Sequence, residues 1–343
     1  MTDAQRKVDA LSRPVDSTSR NVLSIAVACS RWLVVAMVVL AAGQILGLPP
    51  LPSSAVLVIA GVGFLAGIPH GGVDHLVALR LAGGRPIVLV VAAYAGLAAL
   101  AWAFLQWGGP LALLAVVALS ALHFGLGEME VTRELTGWRP GRLTATAIVV
   151  AGSGALVLPL ARSGEDFASV AAAVSPGLAQ VIGAEPVRVG LLLAWLGAAL
   201  VAVTTSLLAG HTSVALDTLL IGALGMLLPP LVAFAVWFGG WHALRHSARM
   251  LTQEAGCTAL VTAGLRRAAV LRLARLAAWP SVMAVAAVVA LGWFTVTASD
   301  PTGMLAQVLR LLLALTVPHM LVVMWLDRRD ATIRTSKVPA PPM

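Results

Sequence analysis

The sequence predicts an all-α protein, a polytopic transmembrane helical bundle of about ten spans. Three observations predict this class: an apolar composition, long apolar blocks, and an uneven distribution of basic residues. Of the 343 residues, 59% are hydrophobic and 11% are charged, with a mean hydropathy of +0.93. Soluble domains average about 45–50% apolar and about 25% charged residues. The composition therefore excludes a soluble enzyme, a nucleic-acid-binding protein and a disordered chain.

The apolar blocks are long enough to cross a bilayer, because a spanning helix needs about 20 predominantly apolar residues. The predicted spans cover residues 24–48, 52–80, 86–107, 111–127, 143–161, 189–209, 213–228, 231–248, 269–298 and 304–326. Helix-breaking pairs such as Pro49-Pro50 and Pro229-Pro230 separate neighbouring blocks. Residues 163–186 are less apolar and contain prolines, which predicts an outer loop with a surface helix.

The basic residues predict the orientation of the spans. With the amino terminus inside, only Arg162, Arg188 and Arg310 of the 23 basic residues fall on the outer side. Because cytoplasmic loops are enriched in Lys and Arg, both termini are predicted to be cytoplasmic. The predicted domains are a polar tail over 1–22, a single transmembrane domain over 23–327 and a disordered tail over 328–343. The predicted location is the cell inner (plasma) membrane, in contact with the lipid bilayer. The pI of about 11.1 then reflects the basic residues of the cytoplasmic loops, and no nucleic-acid partner is predicted.

Histidines stand out among the polar residues of the predicted spans, and such residues are costly and usually functional inside a membrane. Spans two, four, eight and ten each place a histidine at a similar depth towards the cytoplasmic side: His70, His123, His242 and His319. His246 lies one helical turn deeper. A metal site built from facing helices requires such a shared depth. The pattern therefore predicts an intramembrane metal centre.

The local motifs around these histidines agree with that prediction. His242 and His246 are four residues apart, so both project from one helical face. Segment 67–75 reads Gly-Ile-Pro-His-Gly-Gly-Val-Asp-His and predicts a broken helix, which is tolerated at membrane depth where the backbone is buried in protein or lines a cavity. Asp74 is predicted to accept the second N–H of an imidazole. Glu128 likewise places a carboxylate near His123.

The other histidines and one aspartate carry weaker predictions. His75 falls on a different face from His70 if the helix continues, so it is not predicted as a main ligand. His319 fits three roles: a ligand, an outer partner of a ligand, or a residue of a substrate pocket. His211 lies at a loop edge and is expected to hydrogen-bond to a neighbouring helix. Asp217 has no evident partner in the sequence and receives no role.

The residues alone leave the metal open. Imidazole ligands suit zinc, copper, iron or nickel, whereas magnesium and calcium prefer oxygen ligands. The sequence contains no HExxH motif of zinc proteases, no GxSxG motif of serine hydrolases and no CxxCH motif of haem attachment. A haem held by two histidines, and ferrous iron with open positions for O2, both fit.

Four motifs resemble those of the Brp/Blh membrane proteins, the bacterial and archaeal β-carotene 15,15′-dioxygenases. They are Gly67-Ile-Pro-His70-Gly-Gly-Val-Asp74-His75, Leu122-His123-Phe124-Gly125 followed by an acidic residue, Trp241-His242 with His246, and Pro318-His319. The resemblance implies a membrane enzyme that uses ferrous iron (Fe²⁺) and O2 to cleave the central 15,15′ double bond of β-carotene. The implied products are two molecules of all-trans-retinal, and a retinal-binding rhodopsin is the implied functional partner.

The resemblance also implies roles for individual residues. The iron ligands that it carries over are His70, His123, His242 and His246. Four further residues match or stand near family positions and are expected in outer or less direct roles: Asp74, His75, Glu128 and His319. The family often has Asp where this chain has Glu128.

Aromatic residues close to the implied ligands fit two roles, contact with a polyene or ordinary helix packing. They are Phe64, Phe124, Trp237, Phe238 and Trp241. Because β-carotene is a rigid apolar rod of roughly bilayer-spanning length, it would enter from the lipid. The alternative function is a membrane transporter or a retinal- or carotenoid-binding accessory protein with haem or proton-relay histidines. The sequence has no HxxHH box, which disfavours a di-iron hydroxylase or desaturase.

Overall fold

A computed structural model describes residues 17–83, 85–162, 172, 175–296 and 301–335, and their regular secondary structure is helical, with no strand among them. The α-helices are α1 (Ser17–Ile45), α2 (Ser53–Gly67), α3 (Asp74–Leu81), α4 (Ile87–Trp107), α5 (Gly109–Thr136), α6 (Arg142–Gly152), α7 (Gly154–Arg162), α8 (Pro176–Gly183), α9 (Glu185–Leu208), α10 (Thr212–Leu227), α11 (Pro230–Ala235), α12 (Leu244–Gln253), α13 (Ala255–Thr262), α14 (Arg266–Val296) and α15 (Pro301–Thr335). A 3-10 turn over Ile68–Gly71 lies between α2 and α3, and a π-helix over Val236–Ala243 joins α11 to α12. The predicted all-α class is confirmed.

Among the described residues, seven helical segments are long and apolar enough to cross a membrane. They are Arg20–Ile45, Ser53–Leu81, Ile87–Trp107, Gly109–Thr136, Glu185–Leu208, Arg266–Ala290 and Leu309–Arg329. Helices α6 and α7 form an eighth candidate, bent by 60° at their junction, whereas α10 has only 16 residues. The chain is therefore a polytopic helical membrane protein. The count of ten spans and the cytoplasmic termini stay predictions.

The outer surface of the bundle is apolar, as the membrane assignment requires. Trp32, Leu100 and Trp279 are each about 70% exposed, and many other large apolar side chains are exposed on the same long helices. A water-soluble monomer rarely exposes apolar surface on this scale. Contact with lipid tails explains this surface. Helices can expose apolar side chains to lipid because their backbone polar groups are already paired within the helix.

The structure describes helices at two places where the sequence predicts a loop or a tail. Helix α8 is the surface helix predicted within the outer loop: Val181 is exposed, whereas Leu178 and Ile182 on the other face are buried against α4, α5 and α15. Residues 163–171, 173 and 174 of that loop lie outside the described residues. At the carboxyl end, α15 continues to Thr335, into the segment 328–343 that the sequence predicts to be a tail. Asp327 pairs with Arg249 at 2.8 Å, which anchors this end of α15 to α12.

Small residues let α2 approach the π-helix closely. A Cβ atom on Gly239 would collide with the backbone oxygen of Gly63, and one on Gly63 would collide with the backbone of Ala235. One turn further along α2, a Cβ atom on Gly67 would overlap the ring of Phe238. Glycines at such crossings are the usual device for close helix packing in membranes. The crossing places the 3-10 turn beside the π-helix.

Candidate metal centre

Five buried histidines come together inside the bundle, each on a different element. These elements are the 3-10 turn, α5, the π-helix, α12, which directly follows the π-helix, and α15. The histidines are His70, His123, His242, His246 and His319, and each is at most 8% exposed. The ring of His70 lies 5.3 Å from that of His242, 5.5 Å from that of His246 and 4.6 Å from that of His319, between centroids. His123 lies 5.2 Å from His242 and 5.0 Å from His319. We call these five residues the histidine cluster.

The 3-10 turn positions His70. Pro69 has no backbone N–H, so the α-helical hydrogen-bond pattern stops here, and the predicted break of the helix is confirmed. The Nδ1–H of His70 donates to the carbonyl oxygen of Gly67, at the broken end of α2. This bond leaves Nε2 as the nitrogen that can face an ion.

The π-helix positions His242. Its turn is wider than that of an α-helix, so residues five apart stand above one another, and the indole of Trp237 stacks on His242 at 5.3 Å with an interplanar angle of 22°. The backbone returns to α-helix at Leu244, and His246 lies one turn beyond His242 with its ring 6.2 Å away and nearly parallel. The predicted shared face of the two histidines is confirmed. The π-helix itself was not predicted from the sequence.

Four imidazole nitrogens in the histidine cluster lack any hydrogen-bond partner among the described residues. They are the Nε2 atoms of His123, His242, His246 and His319, all of which are buried. Leaving a buried polar atom unpaired costs about 1–3 kcal/mol, and native proteins rarely do so without a reason. Four such atoms on neighbouring rings fit a metal ion, which would use the lone pair of each neutral imidazole.

The dimensions of the cluster also fit a single ion. Ligand nitrogens of His70, His242 and His319 lie within 4.8 Å of one another, and so do ligand atoms of Asp74, His246 and His319. Two ligand atoms on opposite sides of one ion, at about 2.1 Å each, are about 4.2 Å apart. A separation of no more than 4.8 Å is therefore compatible with ligation of one ion. His123 belongs to neither triad, but its ring contacts members of both.

Asp74 pairs with His319, which agrees with the prediction that this carboxylate would accept the second N–H of an imidazole; the sequence left open which imidazole. An oxygen of Asp74, Oδ2, lies 2.7 Å from Nδ1 of His319 and also accepts the hydroxyl of Tyr94 at 2.9 Å. The 3-10 turn and the following Gly72-Val73 place Asp74 at the start of α3, where its carboxylate reaches His319 of α15. A carboxylate on Nδ1 fixes the tautomer that presents Nε2 to a metal.

The remaining predicted polar residues lie outside the cluster. His75 is half-buried and makes none of the ring contacts of the cluster. The ring of His211 stacks on Trp138 at 4.4 Å, a packing contact instead of the expected hydrogen bond. Glu128 accepts a hydrogen bond from Trp241 Nε1 at 2.8 Å and pairs with Arg245 at 2.9 Å, so its carboxylate is used away from the cluster.

Asp217 has two partners, although its sequence context indicated none. It pairs with Arg31 at 2.6 Å and with Arg245 at 3.1 Å. The guanidinium of Arg245 also lies 3.5 Å from the ring centroid of Trp241. Together with Glu128, these residues form a charge-balanced network that ties α1, α5 and α10 to α12 and the π-helix. We call Arg31, Glu128, Asp217 and Arg245 the buried ion network.

The predicted aromatic residues divide into two groups. Phe124, Trp237 and Trp241 are fully buried core residues, with Phe124 and Trp237 in contact with His242. Phe64 and Phe238 are half-buried, and Phe238 lies 5.4 Å from His70. Phe234, which sequence reasoning missed, stacks on Phe238 at 5.9 Å, and its spacing of four residues from Phe238 was the available signal. Tyr94 was also missed, although it is the one tyrosine of the chain.

Comparison with known proteins gives two matches. A family model described as β-carotene 15,15′-dioxygenase matches residues 61–327, a range that includes all five clustered histidines. A Halobacterium salinarum protein named probable β-carotene 15,15′-dioxygenase Blh is 30% identical over 345 residues, covering 92% of this chain and 96% of that protein. No solved structure matches the chain.

Proposed function

The chain belongs to the β-carotene 15,15′-dioxygenase family of carotenoid-cleaving dioxygenases, and we propose that it cleaves β-carotene at the central 15,15′ double bond with O2. The proposed products are two molecules of all-trans-retinal. The observation that carries the proposal is the set of unpaired, buried Nε2 atoms in the histidine cluster, inside a bundle of apolar helices. Unpaired imidazole nitrogens suit a metal ion, and surrounding apolar helices suit a polyene that is dissolved in lipid.

Ferrous iron is the proposed cofactor, with His70, His123, His242 and His246 as its proposed ligands and His319 as an adjacent fifth imidazole. Neutral imidazoles are suitable ligands for iron. When bound, ferrous iron supplies the capacity to activate O2, which organic side chains lack. The hydrogen bonds from Nδ1 of His70 to Gly67 and from Nδ1 of His319 to Asp74 hold these rings with Nε2 towards the centre.

The half-buried phenylalanines support entry of the substrate from the lipid. Phe64, Phe234 and Phe238 form a group of mutual ring contacts at 5.9–6.1 Å, and Phe238 continues this group to His70. Aromatic rings offer a polyene large apolar contacts without polar groups that would need pairing. The buried rings of Phe124 and Trp237 cover His242 on another side and keep water from it. Phe64 and Phe238, the half-buried members of the predicted aromatic residues, are therefore the proposed substrate contacts.

The proposed location is the cell inner (plasma) membrane, where carotenoids dissolve and where the product is released into lipid. A retinal-binding rhodopsin in the same membrane is the proposed acceptor of the product. The family relation favours this enzyme over the transporter and accessory-protein alternatives.

Product analysis in a host that makes β-carotene tests the proposal. Membranes that contain the wild-type chain should accumulate retinal, and His242→Ala or His246→Ala should abolish it. His211→Ala is the matched control, because this histidine stacks on Trp138 outside the cluster. Asymmetric aldehydes would contradict central cleavage.

Metal analysis of the purified protein tests the cofactor. We expect iron in the wild type, its loss in His242→Ala, and recovery of retinal formation when Fe²⁺ is returned after chelation. A Soret band would instead indicate haem. Protein without iron that consumes no O2 on addition of β-carotene would contradict the proposal and favour a transport or binding function.

A further inference from the structure

Tyr94 is the least expected polar residue near the histidine cluster. It lies on α4, a helix with little buried surface, where neighbours such as Leu100 are exposed. Its side chain is nevertheless half-buried, and its hydroxyl donates to Oδ2 of Asp74 at 2.9 Å. A tyrosine hydroxyl that turned towards lipid would have no partner there, so this bond satisfies Tyr94 as well as Asp74.

Asp74 receives Tyr94 and His319 at the same oxygen atom. It is 2% exposed and begins α3, where the positive end of the helix dipole stabilises a carboxylate. Gly71 packs against the pair, since a Cβ atom there would lie 3.4 Å from both Oδ2 of Asp74 and Nδ1 of His319. The hydroxyl, the carboxylate and the imidazole are therefore held in one fixed chain of hydrogen bonds.

The far end of this chain is the unpaired Nε2 of His319. His319 is 4% exposed, contributes to both triads of closely spaced ligand atoms, and has its Nδ1 occupied by Asp74. The direction of Nε2 consequently depends on the rotamer of Asp74. The bond from Tyr94 restricts that rotamer, because a second donor at Oδ2 opposes rotation of the carboxylate.

We propose that Tyr94 is a positioning residue of the metal centre, acting through Asp74 to orient His319 towards the bound ion. This inference rests on the proposed function, and it adds a helix, α4, to the elements that set the metal site. Outer hydrogen-bond partners of metal-binding imidazoles typically change metal affinity 10–100-fold. Because Tyr94 acts at one remove from the imidazole, its effect should lie near the lower limit of that range.

Titration of the purified full-length protein with Co²⁺ tests the proposal without relying on activity. After removal of bound metal, the visible absorption of Co²⁺ reports both affinity and ligand geometry. We expect Tyr94→Phe to weaken Co²⁺ binding roughly tenfold and to shift its absorption bands. Asp74→Asn should weaken binding at least as much, because it removes the charge that directly orients His319.

Thr316→Val is the matched control. It also removes one half-buried hydroxyl, on the same helix as His319, but that hydroxyl donates only to the carbonyl of Leu312 within α15. This variant should bind Co²⁺ like the wild type.

Two outcomes would overturn the role given to Tyr94, and a third would contradict the metal centre itself. If folded Tyr94→Phe binds Co²⁺ with wild-type affinity and spectrum, even at a lower melting temperature, the hydroxyl is merely structural and the inference is wrong. An equal loss in Thr316→Val would also overturn it, because loss of any hydroxyl would then suffice. Failure of the wild type itself to bind Co²⁺ would instead contradict the proposed metal centre.

Discussion

Oδ2 of Asp74 lies 2.7 Å from Nδ1 of His319, a residue 245 positions further along the chain. The pair joins the start of α3 to the middle of α15 and brings His319 into the histidine cluster. The sequence left three roles open for His319, and the structure brings its ring among the other four histidines. This relationship leads to the first prediction.

His319→Ala should lower metal affinity at least tenfold, because it removes an imidazole whose Nε2 is buried and unpaired. His75→Ala should leave metal binding unchanged, since His75 makes no ring contact with the cluster although it lies next to Asp74 in sequence. Iron content per chain, measured after gel filtration, checks both variants. Retained iron in His319→Ala together with loss in His75→Ala would reverse the roles given to these two histidines.

Gly63→Ala should separate α2 from the π-helix and disturb the metal centre. Its Cβ atom would overlap the backbone of Ala235, which cannot move aside as a flexible side chain could. Such overpacking typically costs about 1–3 kcal/mol of stability, and here it also moves His70 away from His242. Thermal unfolding in detergent and iron content provide the measurements.

Gly61→Ala is the control for this crossing, because the position lies on the same helix and a Cβ atom there meets nothing within 4 Å. Equal behaviour of the two glycine variants would show that the close approach does not set the position of His70.

Glu128→Ala should unfold the protein more readily without acting on the metal directly. Removing one member of the buried ion network leaves Arg245 and its partners imperfectly paired, and breaking a buried pair costs about 3–5 kcal/mol. Glu128→Gln should cost less, because its amide oxygen can still accept from Trp241. Chemical denaturation gives the stabilities, and iron per folded chain should stay at the wild-type value. Loss of iron from stable Glu128→Gln would place this carboxylate in the metal centre instead.

Phe238→Ala should reduce kcat/KM for β-carotene about two- to tenfold while iron content stays unchanged. The estimate follows from the value of aromatic contacts, about 0.5–1.5 kcal/mol beyond buried area. Steady-state retinal formation in detergent checks it, with Trp32→Ala as a control that removes an exposed aromatic ring on α1. An unchanged kcat/KM would remove Phe238 from the proposed substrate path.

Much of the fold could be predicted from the sequence because hydrophobicity is a local property of each segment. Every predicted span corresponds to a helix or to a run of consecutive helices, although 213–228 is short and 231–248 changes helix type. The break at Pro69 and the shared face of His242 and His246 were also local, since proline chemistry and helical spacing determine them.

The π-helix could not be predicted in this way. Its eight residues have the composition of an ordinary apolar helix, and π-turns are rare interruptions of α-helices that local composition does not mark. In the structure this segment packs closely against Gly63 and Gly67 of α2.

The sequence by itself determined that this is a helical membrane protein with several histidines at a common depth, because composition and periodicity act within a few turns of helix. Only the tertiary structure decided which polar groups meet: Asp74 with His319 and Tyr94, Asp217 with Arg31 and Arg245, and Glu128 with Trp241. These contacts join residues on different helices, so they depend on how closely each pair of helices packs. In a bilayer that distance is set by the small residues and backbone breaks at each crossing. The sequence of one helix does not show which other helix packs against it.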